Sequence, residues 1–171
     1  GLKPILKKIY RSIVGAPVHM GGHPLRHGWE SEHFADAATQ VWVQVDLGRA
    51  QPFDEVRLLP AKLTEFSITH GYGFPRRFRM EAANEAGFTN SRVLADWTNW
   101  PFDDSGFGPL TIPTDGTPAR YVRVTAHELW ERNQNIFTFA LAELQVYQGN
   151  HNIAAAAPVT AHSVLRGNNG N

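Results

Sequence analysis

The sequence predicts an antiparallel β-sandwich or jelly roll. Short stretches of alternating apolar and polar residues recur along the chain, with the period of strands that bury one face. They are separated by turn-forming residues and not by helical segments long enough for crossover connections. The chain of 171 residues holds 15 Gly, 11 Pro, 10 Phe and 5 Trp, which favours many short strands and turns over a helical bundle.

The clearest strand pattern runs from Val41 to Gly48, and its side chains divide between two faces. One face carries Val41, Val43, Val45 and Leu47, and the other carries Trp42, Gln44 and Asp46. Gly48 ends the pattern, and a second apolar run follows at residues 53–60. We predict that the two runs form a hairpin and that this hairpin organises the sheet.

Similar patterns predict about eight short strands in all. The remaining ones are predicted near residues 16–18, 76–83, 92–97, 110–112, 120–125 and 140–147. At the N-terminus, apolar residues from Leu2 to Ile13 recur at i, i+3 and i+4 with lysines between them. This spacing predicts a short amphipathic helix, which assigns residues 1–14 to a helix or linker.

Successive strands of such a sandwich run in opposite directions, so alternate connections gather at the same end. The long connections, predicted at one end that we call the top, are residues 20–40, 60–75, 98–110 and 128–138. The short turns, predicted at the bottom, are residues 48–53, 84–90 and 114–119. Because binding residues concentrate on loops held by a rigid scaffold, we expect any binding site at the top.

The composition excludes several classes of function. Lys plus Arg equals Asp plus Glu at 16 each, so the chain lacks the basic balance of a nucleic-acid or anionic-membrane binder. No apolar run approaches ~18 residues, so no transmembrane helix is predicted. The absence of Cys excludes disulfides and thiolate metal sites but does not determine the compartment.

Four segments resemble, in order, the strand signatures of discoidin domains. They are residues 42–48 (WVQVDLG), 56–58 (VRL), 120–124 (RYVRV) and 141–147 (LAELQVY). This family comprises the coagulation factor V/VIII type C domains and includes carbohydrate-binding module family 32. The resemblance covers residues 14 to 149 and implies a discoidin-like jelly roll over residues 15–149. It also implies a non-catalytic binding module whose loops contact sugars, lipid headgroups or proteins.

Many bacterial members of the family carry a structural calcium site before the opening strand. The matching residues here are Asp36, Thr39 and Glu143, but a glycine and a second acidic residue of the motif are missing. Calcium takes six to eight oxygen ligands, some of which backbone carbonyls can supply. The resemblance therefore implies a possible calcium site. The alternative is that Asp36 stabilises its own turn and Glu143 accepts hydrogen bonds from loop amides.

The tail repeats a short sequence motif from near the start of the chain. Ala157-Pro158-Val159 echoes Ala16-Pro17-Val18 after 158 − 17 = 141 residues, about one domain length. We therefore expect residues 150–171 to be a linker that leads into the start of a second discoidin-like module. A chance match within an alanine-rich linker is the alternative. Either interpretation suggests a part of a multidomain protein.

Sugar recognition requires an aromatic platform together with planar polar side chains that contact the hydroxyls. The predicted top loops supply both, with Trp130 or Tyr72 as the platform. The predicted hydrogen-bonding residues and neighbours are His70, Arg132, Asn133, Asn135, Arg26, Trp29 and Glu128. We expect Trp97, Trp100 and Phe102 to belong to the core or its rim.

Catalysis within the chain is not expected. Carboxylate pairs such as Glu30 with Glu32 and Glu128 with Glu131 are neighbours in sequence, which does not establish the separation that a glycosidase needs. No nucleophile elbow, phosphate-binding loop or paired-His zinc motif is present.

The favoured hypothesis is a glycan-binding module of a larger secreted glycoside hydrolase or polysaccharide lyase, extracellular or periplasmic, contacting neighbouring domains. The alternative is a structural domain that docks against a catalytic domain and has no ligand of its own. Membrane binding is disfavoured by the neutral charge and the few aliphatic residues in the loops.

Overall fold

The computed structural model describes residues 16–18, 28–61, 71–102 and 109–165. The N-terminal helix predicted within residues 1–14 lies outside these ranges. Regular secondary structure in the described ranges consists of β-strands, so none of these segments is a helix that could cross a membrane.

The described ranges contain fourteen strands, several of them only two or three residues long. They are β1 (Ala16–Val18), β2 (Trp29–Glu30), β3 (Val41–Gln51), β4 (Glu55–Leu59), β5 (Arg77–Ala83), β6 (Arg92–Asp96), β7 (Leu110–Pro113), β8 (Ala119–Glu128), β9 (Trp130–Asn133), β10 (Ile136–Thr138), β11 (Ala140–Leu141), β12 (Glu143–Gln148), β13 (His151–Asn152) and β14 (Val159–Ala161).

The strands form two main sheets and two short ribbons. The larger sheet has the order β1-β14-β3-β8-β5-β6, and the smaller one has the order β13-β12-β4-β7. The ribbons are β9–β10 and β2–β11, and every strand pair is antiparallel. The predicted antiparallel β-sandwich is confirmed.

The alternation along β3 places one of its faces in the core, as predicted. Val41, Val43 and Val45 are fully buried. They belong to one cluster with apolar residues of both main sheets, including Phe78, Val124, Val56, Leu58, Leu144 and Val146. Removing this apolar surface from water is the main force that holds the sheets together.

The predicted hairpin between residues 41–48 and 53–60 is wrong. β3 pairs with β14 and β8 in the larger sheet, whereas β4 pairs with β12 and β7 in the smaller one. Residues 52–54 therefore cross between the sheets, and Phe53 is buried beneath the crossing. A hairpin within one sheet and a crossing between two sheets show the same local pattern of an apolar strand, a turn and a second strand. Only the pairing partners of the two strands distinguish them.

The predicted division of the connections between the two ends is confirmed for the described residues. β3 pairs antiparallel with β8, and β8 with β5, so the start of β3, the end of β8 and the start of β5 share one end. The described parts of the four long connections therefore lie at the top. The short turns lie at the bottom.

The tail continues into this sandwich as far as the structure describes it. β14 lies between β3 and β1, with Ala161 opposite Val43. Beyond the strand, the indole N–H of Trp29 donates to the carbonyl of Ser163 at 2.9 Å. The sandwich boundary predicted at residue 149 is corrected to a point beyond residue 161, because the tail supplies an interior strand of the larger sheet. A second module remains a prediction.

Candidate functional site

Backbone hydrogen bonds join the segments of the top into one scaffold. The amide of Ser31 donates to the carbonyl of Phe139 at 2.8 Å, and that of Arg76 donates to Glu128 at 2.8 Å. The amide of Ala140 donates to Gly73 at 2.9 Å. Side chains from distant parts of the sequence are therefore held in fixed relative positions.

Gly73 allows the segment at residues 71–75 to lie directly on β11. Its φ of 69° lies in the left-handed region, and a Cβ added there would lie 2.5 Å from the Cβ of Ala140. Only glycine fits both the backbone conformation and the space. This close approach positions the neighbouring residue, Tyr72.

Tyr72 links an acidic and a basic side chain. Its hydroxyl donates to Oε1 of Glu30 at 2.6 Å and accepts from Nε of Arg132 at 3.1 Å. Burial, together with the hydrogen bond to Glu30, raises the pKa of Tyr72 to about 12. The phenol is therefore protonated at neutral pH and acts as a donor to Glu30.

Glu30 accepts further hydrogen bonds through the same oxygen. Nε2 of His33 lies 3.2 Å from Oε1, and the hydroxyl of Thr138 donates to it at 3.4 Å. The side chain of Glu30 is partly exposed. These contacts hold its carboxylate in one orientation while leaving it accessible from solvent.

Trp130 packs beside this network. Its ring centroid lies 4.8 Å from that of Tyr72, with an angle of 58° between the ring planes, and the indole is partly exposed. We call Glu30, His33, Tyr72, Trp130 and Arg132 the Tyr72 cluster. It combines an accessible aromatic ring with an anion, a cation and a hydroxyl, and these groups can contact both the apolar and the polar faces of a small molecule.

Two predicted roles are corrected. The Tyr72 residue is only 7% exposed, so its ring is not available as a platform and its hydroxyl is what contributes to the cluster. Trp29 is 2% exposed and packs edge-on against Phe139, with ring centroids 4.9 Å apart. It is a core residue and is excluded as a ligand contact.

The other predicted ligand-binding residues have different surroundings. Asn133 and Asn135 are exposed at the β9–β10 turn, where Asn135 adopts a φ of 60°. The carboxylate of Glu128 accepts from Nε of Arg77 at 2.7 Å, so Glu128 lies in a second polar group at the top. His70 and Arg26 lie outside the described residues.

Sequence reasoning did not identify Glu30, His33 and Thr138 as site residues. The position of Glu30 depends on its pairing with Ala140 across the β2–β11 ribbon, a contact between residues more than one hundred positions apart. The two-residue strand β2 is too short to show a periodic pattern, so no local signal in the sequence indicated this contact.

Asp36, Thr39 and Glu143, the residues predicted to bind calcium, each take part in a local hydrogen bond. Oδ1 of Asp36 accepts from the amide of Ala38 at 2.9 Å, and its carbonyl accepts from the amide of Thr39 at 3.2 Å. Glu143 accepts from the side-chain amide of Gln145. In the described ranges no three His, Asp or Glu side chains cluster as metal ligands. These contacts suit a turn that is stabilised by its own aspartate.

Comparison with known proteins gives matches only at the level of structure. No protein-family model matches the sequence, and no curated protein matches it. A CBM32 module from a family 31 glycoside hydrolase of Clostridium perfringens matches with 17% identity and a TM-score of 0.55. That match covers 72% of this chain and 77% of the module.

Two further solved structures match with lower TM-scores. Chitosan-binding module 1 from a chitosanase/glucanase of Paenibacillus sp. IK-5 has 22% identity and a TM-score of 0.45, over 66% of this chain and 72% of that one. The lectin domain of lectinolysin has 18% identity and a TM-score of 0.45, over 75% and 98% of the two chains.

The match to the Clostridium perfringens module and the antiparallel sandwich agree with the resemblance of the four strand segments. The chain therefore has the discoidin-like β-sandwich fold of carbohydrate-binding module family 32.

Proposed function

We propose that the protein is a non-catalytic carbohydrate-binding module and that it binds a sugar through the Tyr72 cluster. One observation carries the proposal. The hydroxyl of Tyr72 is hydrogen-bonded to both Glu30 and Arg132, and Trp130 packs beside it. A partly exposed indole suits the apolar face of a pyranose, and the carboxylate and guanidinium suit its hydroxyls. The fold is consistent with this function but does not specify a ligand.

The proposal extends to the setting of the module. We infer that it belongs to a larger secreted polysaccharide-active protein, a glycoside hydrolase or lyase, outside the cytoplasm. The matching Clostridium perfringens module comes from a glycoside hydrolase, which supports this setting. Neighbouring domains and a glycan are then the expected partners.

Screening on a glycan array, followed by affinity electrophoresis on plant and algal polysaccharides, tests the proposal. Arg132→Ala is the primary variant, because Arg132 is exposed and its loss does not open the core. A hydrogen bond from a charged group contributes about 1.5–3 kcal/mol, so affinity should fall roughly ten- to one-hundred-fold. Trp130→Ala should weaken binding at least as much.

Arg49→Ala is the matched control, since Arg49 is also exposed but lies at the bottom end of β3. It should bind like the unmodified chain. Unchanged binding by both Arg132→Ala and Trp130→Ala would show that the site is elsewhere. A chain that binds no glycan would favour the alternative of a docking domain.

A further inference from the structure

Trp100 has the most exposed large apolar side chain among the described residues, at 67%. It lies at the top, between β6 and β7. Burying a large apolar side chain stabilises a fold, and the exposed ring of Trp100 does not make this contribution. The exposed ring is thus available for contact with a ligand.

The segment that carries Trp100 is held firmly on both sides. Trp97 packs on Phe78, with ring centroids 4.9 Å apart, and its amide donates to the carbonyl of Phe78 at 2.8 Å. On the other side Phe102 packs on Phe74 at 5.5 Å. The aromatic residues on either side of Trp100 are thus anchored in the core, and Trp100 projects into solvent from a braced position.

Charged side chains adjoin this segment. The amide of Phe102 donates to the carbonyl of Arg76 at 2.6 Å, which places Arg76 against the loop. Arg77 donates to the carboxylate of Glu128 at 2.7 Å and to the carbonyl of Thr98 at 3.1 Å. Nε of Arg76 lies 3.6 Å from Oε1 of Glu128, and most of the Arg76 side chain is exposed.

These groups lie close to the Tyr72 cluster. Arg76 is four residues from Tyr72, so their Cα atoms are at most about 14 Å apart. Glu128 is two residues from Trp130, which limits that separation to about 7 Å. Trp100 and Trp130 both lie at the top, and Arg76 and Glu128 lie within these distances of the Tyr72 cluster.

We propose that Trp100, Arg76 and Glu128 form a second sugar-binding position, and that the ligand of this module is an oligosaccharide chain that spans both positions. The indole of Trp100 stacks on one sugar ring, while Arg76 and Glu128 contact its hydroxyls. The inference rests on the proposed function, because it takes the Tyr72 cluster as the first position.

The test uses one glycan that the array identifies as a ligand. Calorimetry measures the affinity for oligosaccharides of that glycan, from the disaccharide to the hexasaccharide. The full chain is compared with Trp100→Ala and with Val93→Ala. Val93 is 52% exposed on β6 and lies away from the top, so it controls for the loss of an exposed apolar side chain.

For the unmodified chain, affinity should rise at least about ten-fold from the disaccharide to the hexasaccharide. A single aromatic–sugar stacking contact worth about 1.4 kcal/mol corresponds to that factor. Trp100→Ala should lose this gain and retain the disaccharide affinity, while Val93→Ala should match the unmodified chain.

Length-independent affinity, or a hexasaccharide affinity unaffected by Trp100→Ala, would overturn the second position while leaving the Tyr72 cluster intact. Loss of hexasaccharide binding in Arg132→Ala but not in Trp100→Ala would also overturn it. A chain that binds no member of any series would overturn both proposals.

Discussion

The hydroxyl of Tyr72 lies 2.6 Å from Oε1 of Glu30, although the two residues are 42 positions apart in sequence. The same hydroxyl accepts from Arg132, so one buried phenol joins three segments of the chain. This relationship predicts how the stability of the fold depends on pH.

Tyr72 should stabilise the fold up to about pH 10 and lose this contribution as the pH rises towards 12. Its pKa is raised from 10.0 to about 12 in the folded chain. Between these values the folded state keeps the proton that the unfolded state has lost, so raising the pH favours unfolding. Tyr72→Phe should cost about 1–3 kcal/mol at pH 8, because it removes the hydrogen bonds that the phenol makes with the charged groups of Glu30 and Arg132.

Urea denaturation at a series of pH values from 8 to 12 measures both effects. The difference in the free energy of unfolding between the unmodified chain and Tyr72→Phe should shrink above pH 10. Other titrating groups are shared by the two chains and cancel in this difference. A difference that stays constant to pH 12 would contradict the assignment.

Gly73→Ala should destabilise the protein more than Gly116→Ala. Both residues have positive φ, 69° and 80°, so both substitutions incur the backbone cost of about 1 kcal/mol. At Gly73 the new methyl also meets Ala140 at 2.5 Å, whereas at Gly116 nothing lies within 4 Å. We expect a further cost of about 1–3 kcal/mol at Gly73, as is typical of overpacking.

Thermal or urea unfolding of the two variants provides the comparison, and glycan affinity adds a second readout. Only Gly73→Ala should also weaken binding, since it displaces Tyr72. Equal stability losses in the two variants would argue against the close packing of residues 71–75 on β11.

Ala161→Glu tests whether the tail belongs to this sandwich. Ala161 is fully buried in β14 between β3 and β1, so a carboxylate there lacks a partner and should cost at least about 3 kcal/mol. Ala155→Glu is the matched control, because Ala155 is exposed in the preceding turn, and it should change stability by less than about 0.5 kcal/mol. If both variants were equally stable, the tail would not pair with β3 in solution.

Calcium should have little effect on stability. Asp36 already accepts from its own turn, and the described residues contain no cluster of three candidate ligands. We expect the melting temperature to be the same in EDTA and in millimolar calcium. Calcium present at one hundred times the Kd of a site would add about 2.7 kcal/mol to the free energy of unfolding. A clear rise in the melting temperature that disappears in Asp36→Ala would establish the calcium site instead.

The sequence by itself determined the fold class and the longer strands. The short strands β9 and β10 lie in the predicted 128–138 connection and were not among the strands predicted. The alternation from Val41 to Leu47 depends only on which side chains face the core. It appears in β3 as buried Val41, Val43, Val45 and Leu47, although Gln44 on the other face is buried as well. The antiparallel order likewise placed the long connections at one end without any knowledge of contacts. Local patterns are sufficient here because burial of alternate residues is a property of each strand.

Tertiary structure alone decided the strand partners and the composition of the site. Pairing of β3 with β14 instead of β4 brings the tail into the sandwich, and pairing of β2 with β11 brings Glu30 to Tyr72. The burial of Trp29 and Tyr72 and the exposure of Trp100 follow from the same packing. These outcomes depend on contacts between residues far apart in sequence, and such contacts leave no periodic signal in the segments that make them.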